Sequence, residues 1–217
     1  MLLIFDLDGT LIDSSEDLAA ATNATLEKFG QAPLDPYLIY SYVGNGVPML
    51  VRRAFGPHVS EESIRQAVAF FLTFYAAHAT DRTCLYPGIR EALDRLSADH
   101  TLAILTNKPA AVSRKIVSFL GVEDYFARLY GGDSFAHKKP DPVGIAALIA
   151  ELGAAQEQSW MIGDSFVDIR AARNAGVRSC GVAWGFQPDS FAADPPDLLI
   201  RHPRELPGSN TGEFERR

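Results

Sequence analysis

The first ten residues restrict the possible folds more than any other stretch. Residues 1–5 form a short apolar run, and Asp6-Leu7-Asp8-Gly9-Thr10 follows without a break. A run of that length, closed by polar residues and a glycine, reads as a buried strand that delivers its C-terminal end to a site. Two carboxylates one residue apart repel each other unless a cation, hydrogen bonds or a shared proton compensates them. The pair suits a divalent cation beside a nucleophile, although Asp and Gly also serve simply to end a strand.

Two patterns fill the rest of the chain. Residues 15–82 carry only helical periodicity. Ser14 or Ser15 is placed to cap a first helix, with Glu16 and Asp17 in the first turn, where the helix dipole favours acids. Leu18, Ala19, Ala21, Thr22, Leu26 and Phe29 give that helix its apolar face, and Gly30 its stop. Pro33 and Pro36 break the next stretch, and Val43-Gly44-Asn45-Gly46 makes a turn. A short helix over 47–55 and a longer one from Ser60 to about His78 complete the segment.

From Thr83 onwards, strands and helices alternate. Helices are expected over 89–96, 111–120, 142–152 and 166–175, and strands over 101–105, 159–162 and 177–182, with a weak last strand at 198–200. Residues 129–132 read as a short strand or turn. Such alternation implies parallel βαβ units. The expected architecture is α/β: a Rossmann-like parallel sheet flanked by helices, built from 1–14 and 83–206, interrupted by an all-helical domain at 15–82. Hinges belong near Ser14–Ser15 and Thr83–Leu85. Residues 207–217 are polar and read as a disordered tail.

With 217 residues, 47% of them apolar and 22% charged, the chain has room for one core plus a smaller lobe. A formal charge of −7 argues against a nucleic-acid partner, so an anionic substrate must be drawn in by a local cation or metal. The two cysteines, Cys84 and Cys180, are too few for a disulfide framework and lack metal-ligand spacing. They are expected to be buried small hydrophobes in a reducing compartment. With no apolar run of about 18 residues and no signal-peptide pattern, the expectation is a cytoplasmic protein without a membrane partner. Monomer and homodimer both stay open.

In open parallel sheets, ligands sit beyond the carboxyl ends of the strands. Asp6, Thr106 and Asp164 all stand at expected strand ends, which puts them on one edge. Asp-Leu-Asp-Gly-Thr after an N-terminal apolar strand also resembles the first signature of the haloacid dehalogenase superfamily, and three companion motifs follow in that family's order. Thr106-Asn107 follows the strand at 101–105, His137-Lys138-Lys139-Pro140 resembles the lysine motif, and Gly163-Asp164-Ser165-Phe166-Val167-Asp168 resembles GDxxxD.

The resemblance implies a role for each residue. Asp6 would be the nucleophile and Asp8 the general acid–base. The Thr106 hydroxyl would bind the transferring phosphoryl group, with Asn107 adding a hydrogen bond. Lys139 would neutralise nucleophile and phosphate, leaving Lys138 as a solvated surface group. Asp6, the Asp8 backbone carbonyl and Asp164 would hold Mg²⁺, while Asp168, read as one helical turn beyond Asp164, would ligate through water or orient Lys139. Oxygen ligands without His or Cys do favour Mg²⁺ over a transition metal.

The inserted segment resembles the helical cap of the superfamily's first (C1-type) subclass. Residues 42–48, with Arg52 and Arg53 behind them, are similar to the cap of bacterial phosphoglycolate phosphatases. Gly44, Asn45, Gly46 and Arg52 (or Arg53) are the candidate substrate residues there. Taken together, the implied activity is Mg²⁺-dependent hydrolysis of a phosphomonoester through an aspartyl-phosphate, with a small phosphorylated metabolite, 2-phosphoglycolate foremost, as substrate. Phosphatases of sugar phosphates, amino-sugar phosphates, nucleotides or pyrophosphate are alternatives, as is a β-phosphoglucomutase-like phosphotransferase. A silent binding module is the remaining option, and the retained Asp6, Asp8 and Lys139 argue against it.

Overall fold

A computed structural model describes residues 1–206, the side chain of Pro188 excepted, so the expected tail at 207–217 lies outside the described residues. The chain opens with β1 (Leu2–Phe5) and a two-residue strand β2 (Ile12–Asp13). Helices α1 (Ser15–Lys28), α2 (Pro36–Tyr40), α3 (Val47–Phe55) and α4 (Glu61–His78) follow, and β3 (Cys84–Leu85) closes this segment. The alternating part then runs α5 (Ile89–Leu96), β4 (Thr101–Leu105), α6 (Ala110–Phe119), β5 (Phe126–Tyr130), α7 (Val143–Leu152), β6 (Ser159–Gly163), α8 (Phe166–Ala175), β7 (Arg178–Val182) and β8 (Leu198–Ile200).

Six of these strands form one parallel sheet in the order β5-β4-β1-β6-β7-β8. β1 is buried along its whole length because helices cover both faces of the sheet. Its residues alternate between two cores, as the two-residue period of a strand requires. Leu3 and Phe5 join a core with Ile89 and Leu93 of α5, Ile116 of α6, and Phe71 and Tyr75 of α4. Leu2 and Ile4 join the opposite one, with Ile145 and Leu148 of α7 and Ala171 and Ala172 of α8. The α1–α4 segment therefore shares a continuous apolar core with one face of the sheet.

Four local features differ from the sequence reading. Residues 36–40 form α2 instead of a broken stretch: Pro36 sits in its first turn, where a missing N–H costs nothing, and the Asp35 carboxylate accepts the Tyr37 N–H at 2.8 Å. β2 pairs antiparallel with β3, which joins the entry and exit of the helical segment, although two-residue strands leave no periodicity to read. Asp17 serves that junction: buried, it accepts the Arg82 and Thr83 N–H groups and the Thr83 hydroxyl, so more than the dipole fixes it in the first turn. β5 covers 126–130 and not 129–132; as an edge strand carrying exposed Ala127 and Arg128 it shows little apolar alternation.

Cys180 is buried as expected, but Cys84 is exposed on β3. Among the described residues, no helix is long and apolar enough to cross a membrane.

Candidate active site

Because β4, β1 and β6 are neighbours, their carboxyl ends bring Thr106, Asp6 and Asp164 side by side. Asp6 Oδ1 accepts the Leu7 N–H at 2.7 Å and lies 3.0 Å from Lys139 Nζ. The same ammonium donates to Asp168 Oδ1 at 2.6 Å. Asp168 Oδ2 accepts the N–H and hydroxyl of Ser165, at 3.2 and 2.9 Å. The sequence reading put Asp164 and Asp168 one helical turn apart. In the structure Asp164 precedes α8, and Asp168 reaches back over the helix start. Asp164 is held from another side, its Oδ2 accepting the Phe186 N–H at 2.8 Å.

Carboxylate oxygens of Asp6, Asp164 and Asp168 lie within 4.8 Å of one another, and all three residues are buried. Burial pushes the Asp6 carboxyl up to about 6; Lys139 pulls it down, and Asp168 and Asp8 add to the rise. Asp164 is raised well above the ordinary carboxylate range by burial and then by its two acidic neighbours. Burial works against the Lys139 ammonium, but Asp168 and Asp6 outweigh it and raise its pKa. Three carboxylates thus face one ammonium in a buried site, and the imbalance matches the charge of a divalent cation. Donors that are all hard oxygens fit Mg²⁺. Asp8 contributes no side-chain oxygen to this cluster.

Asp8 instead faces the other way. Its Oδ1 accepts from Ser14 Oγ at 2.5 Å and from Lys108 Nζ at 2.7 Å, and its Oδ2 is 3.0 Å from the same ammonium. The Ser14 hydroxyl is thereby diverted from the capping role expected of it, and α1 has no side-chain cap bond. Lys108, only 5% exposed, also donates to the Tyr75 hydroxyl of α4 at 2.6 Å. Burial opposes the Lys108 charge, yet Asp8 and Tyr75 raise its pKa. Burial likewise pushes the Tyr75 phenol up to about 12, so it stays protonated.

These groups open on a cavity of about 430 Å³, counting its mouth to solvent. Asp6, Asp8, Thr106, Asn107 and Lys108 line its floor, while Val43, Gly44, Gly46, Val47 and Tyr75 come from the helical segment. Asn107 Nδ2 donates to the carbonyls of Gly44 (2.9 Å) and Lys139 (3.0 Å), which leaves its buried Oδ1 without a partner. The Thr106 hydroxyl accepts the Lys108 N–H at 3.3 Å. α6 begins only at Ala110, whose N–H is taken by Asp133, so Thr106 does not sit at the helix start itself.

The remaining substrate candidates are not brought together. Asn45 does not line the cavity, although both flanking glycines do. Arg52 is turned to solvent and pairs with both Glu61 oxygens at 2.6 Å. Arg53 donates to the Tyr42 carbonyl. Lys138 is exposed, as expected, but passes close over Gly46, where an added Cβ would lie 2.7 Å from its ammonium. Lys108, Tyr75 and Ser14 went without a site role in the sequence reading. Lys108, in the turn after a strand, reads like any solvated lysine, and Tyr75 like one more apolar position of a long helix.

Residues 3–182 match the family model for haloacid dehalogenase-like hydrolases. The chain belongs to that family. It is 39% identical over 203 residues to a phosphoglycolate phosphatase of Agrobacterium fabrum, covering 92% of this chain and 87% of that one. A second phosphoglycolate phosphatase, from Psychrobacter arcticus, is 40% identical over 193 residues, or 85% and 84% of the two chains. The crystal structure of a predicted phosphoglycolate phosphatase from Haemophilus somnus 129pt superposes with a TM-score of 0.87 at 30% identity, covering 93% and 94%. Within the haloacid dehalogenase-like hydrolases, this chain is a phosphatase.

Two glycines of this haloacid dehalogenase-like site are fixed by Asp164. Gly9 has φ +78°, and a Cβ there would fall 2.3 Å from Asp164 Oδ2; a Cβ on Gly185 would fall 2.2 Å from Asp164 Cβ. Gly9→Ala is expected to combine backbone strain of about 1–3 kcal/mol with displacement of the carboxylate. A lowered thermal midpoint and a reduced turnover rate, measured on the same preparation, check this.

Proposed function

We propose that the chain is a Mg²⁺-dependent phosphomonoester hydrolase that works through an aspartyl-phosphate on Asp6, with 2-phosphoglycolate as its favoured substrate. The observation that carries the reading is the setting of Asp6: one oxygen is pinned by the Leu7 N–H and Lys139 beside an acidic cluster short of positive charge. A carboxylate so held can attack phosphorus with its other oxygen. The Asp6–phosphorus bond forms as the ester P–O bond breaks, and Asp8 supplies the proton taken up by the leaving alkoxide. Asp8 then takes a proton from the water that hydrolyses the acyl phosphate, a contribution of about 10²- to 10⁴-fold. The Thr106 hydroxyl and the Lys139 ammonium stabilise the charge on the phosphoryl oxygens.

Asp6, the Asp8 backbone carbonyl and Asp164 would hold the cation, and Asp168 would fix Lys139. Bound there, Mg²⁺ screens the repulsion between carboxylate and phosphate. Residues 15–82 act as a cap over a core made of 1–14 and 83–206, excluding water from the reaction. The substrate choice is supported by the names of the relatives.

Phosphate release from an aryl phosphate and from a metabolite panel, with and without EDTA, tests the reading. Chelation is expected to abolish release and added Mg²⁺ to restore it. Phosphate release that persists after exhaustive chelation would overturn the metal assignment. Stronger hydrolysis of sugar phosphates or nucleotides, or exchange between sugar positions without net release, would overturn the substrate assignment.

A further inference from the structure

We propose that Lys108 is the residue that selects for a second negative charge on the substrate, a carboxylate close to the phosphate, and that Tyr75 sets its position. The inference rests on the phosphatase reading above and adds to it which group reads the leaving part of the ester. Among the described residues lining the cavity, Lys108 is the one cation. Leu18, Val43, Val47 and Leu50 give the cavity aliphatic walls, and polar groups stand with Lys108 on the floor, at Asp6, Asp8, Thr106 and Asn107. An anion seated in this space finds its nearest lining countercharge at Lys108, and a charge moved out of bulk water needs such a partner. Arg52 and Arg53 have their own partners elsewhere and do not reach it.

The donor geometry leaves room for this exchange. An ammonium has three N–H bonds. Those of Lys108 serve Tyr75 and both oxygens of one carboxylate, Asp8. Giving up one of the two Asp8 contacts to a substrate oxygen keeps Asp8 paired and costs no donor. Tyr75 makes the arrangement depend on the inserted helices: its hydroxyl, held in the core by a ring that is 1% exposed, fixes the ammonium from the α4 side. The ring face lies 4.5 Å from the same nitrogen and adds to the hold. Lys108 is thus a specificity residue, and Tyr75 a positioning residue acting through it.

The test compares 2-phosphoglycolate with 2-hydroxyethyl phosphate, which keeps the phosphate and replaces the carboxylate by a neutral group. The wild-type protein is expected to prefer the carboxylated ester. Lys108→Met is expected to lower the ratio of the two kcat/KM values by about 10- to 100-fold, the range for losing a hydrogen bond to a charged group. Tyr75→Phe should lower the ratio by about 3- to 10-fold, chiefly through KM for the carboxylated ester. Removal of a single oxygen leaves the packing of Tyr75→Phe intact, so it decides the matter if Lys108→Met does not fold. Equal losses on both esters, or no wild-type preference, would overturn the proposal while leaving the phosphatase reading standing. Absence of phosphate release from every ester would instead overturn the phosphatase reading.

Discussion

Asp6→Asn is expected to lower turnover by at least about 10³-fold, on every ester the wild-type protein hydrolyses, while leaving a folded protein. An amide oxygen can still accept the Leu7 N–H, but it cannot form a stable bond to phosphorus. Lys139 keeps its partner in Asp168. Because the substitution removes one of three clustered buried carboxylates, metal-free protein should melt no lower than the wild type, and higher near neutral pH. The sign follows from the Asp6 pKa, raised to about 6 mainly by burial. Its folded carboxyl holds a proton that the unfolded chain releases near the ordinary value, so wild-type stability is lost as pH rises between roughly 4 and 6. Asparagine has no such titration, and its advantage should grow over that window and then level off. Single-turnover and steady-state assays, with thermal melts in EDTA across this range, check both halves. Retained turnover would remove Asp6 from the nucleophile role.

Lys139→Met carries the second large effect, and its signature is the opposite in stability. The ammonium bridges Asp6 and Asp168 at 3.0 and 2.6 Å, and it is itself 5% exposed. Removing one partner from a buried pair leaves uncompensated charge and typically costs about 3–5 kcal/mol. Here three buried acids would face no ammonium at all, so a loss in that range is expected in urea titrations with chelator present. Added Mg²⁺ should recover part of it, since a ligand bound only by the folded state stabilises by mass action. Turnover should still fall sharply with the metal restored, because the charge beside the phosphoryl oxygens is gone. Wild-type stability in the variant would mean that the cluster is compensated by some other group.

How far each residue could be read in advance follows from the range of its interactions. The helices at 47–55 and 166–175 and the strand at 101–105 emerge from spacing alone, since apolar periodicity and capping act within a few residues. β2 and β3 are too short for any period, and β5 is an edge strand with one wet flank, so local pattern had little to offer. Asp17 shows the limit well. An acid in a first helical turn is accounted for by the dipole, and only folding shows its carboxylate joining Arg82 and Thr83, some 65 positions away. Arg52 shows the reverse: a cation behind a glycine turn invites a substrate role, and Glu61 of the next helix claims it.

The sequence by itself determined the parallel α/β framework, the apolar strand ending in Asp6, and the placing of Asp6, Thr106 and Asp164 at strand ends. Each of these depends on chain-local chemistry, on which residues bury, punctuate or carry charge within one element. Only the tertiary structure decided that Asp8 meets Lys108 across 100 positions, that Tyr75 of an inserted helix holds the same ammonium, and that Arg52 looks outward. The partner of a long polar side chain is set by whichever distant element packs beside it, and a periodic pattern in the chain carries no record of that neighbour.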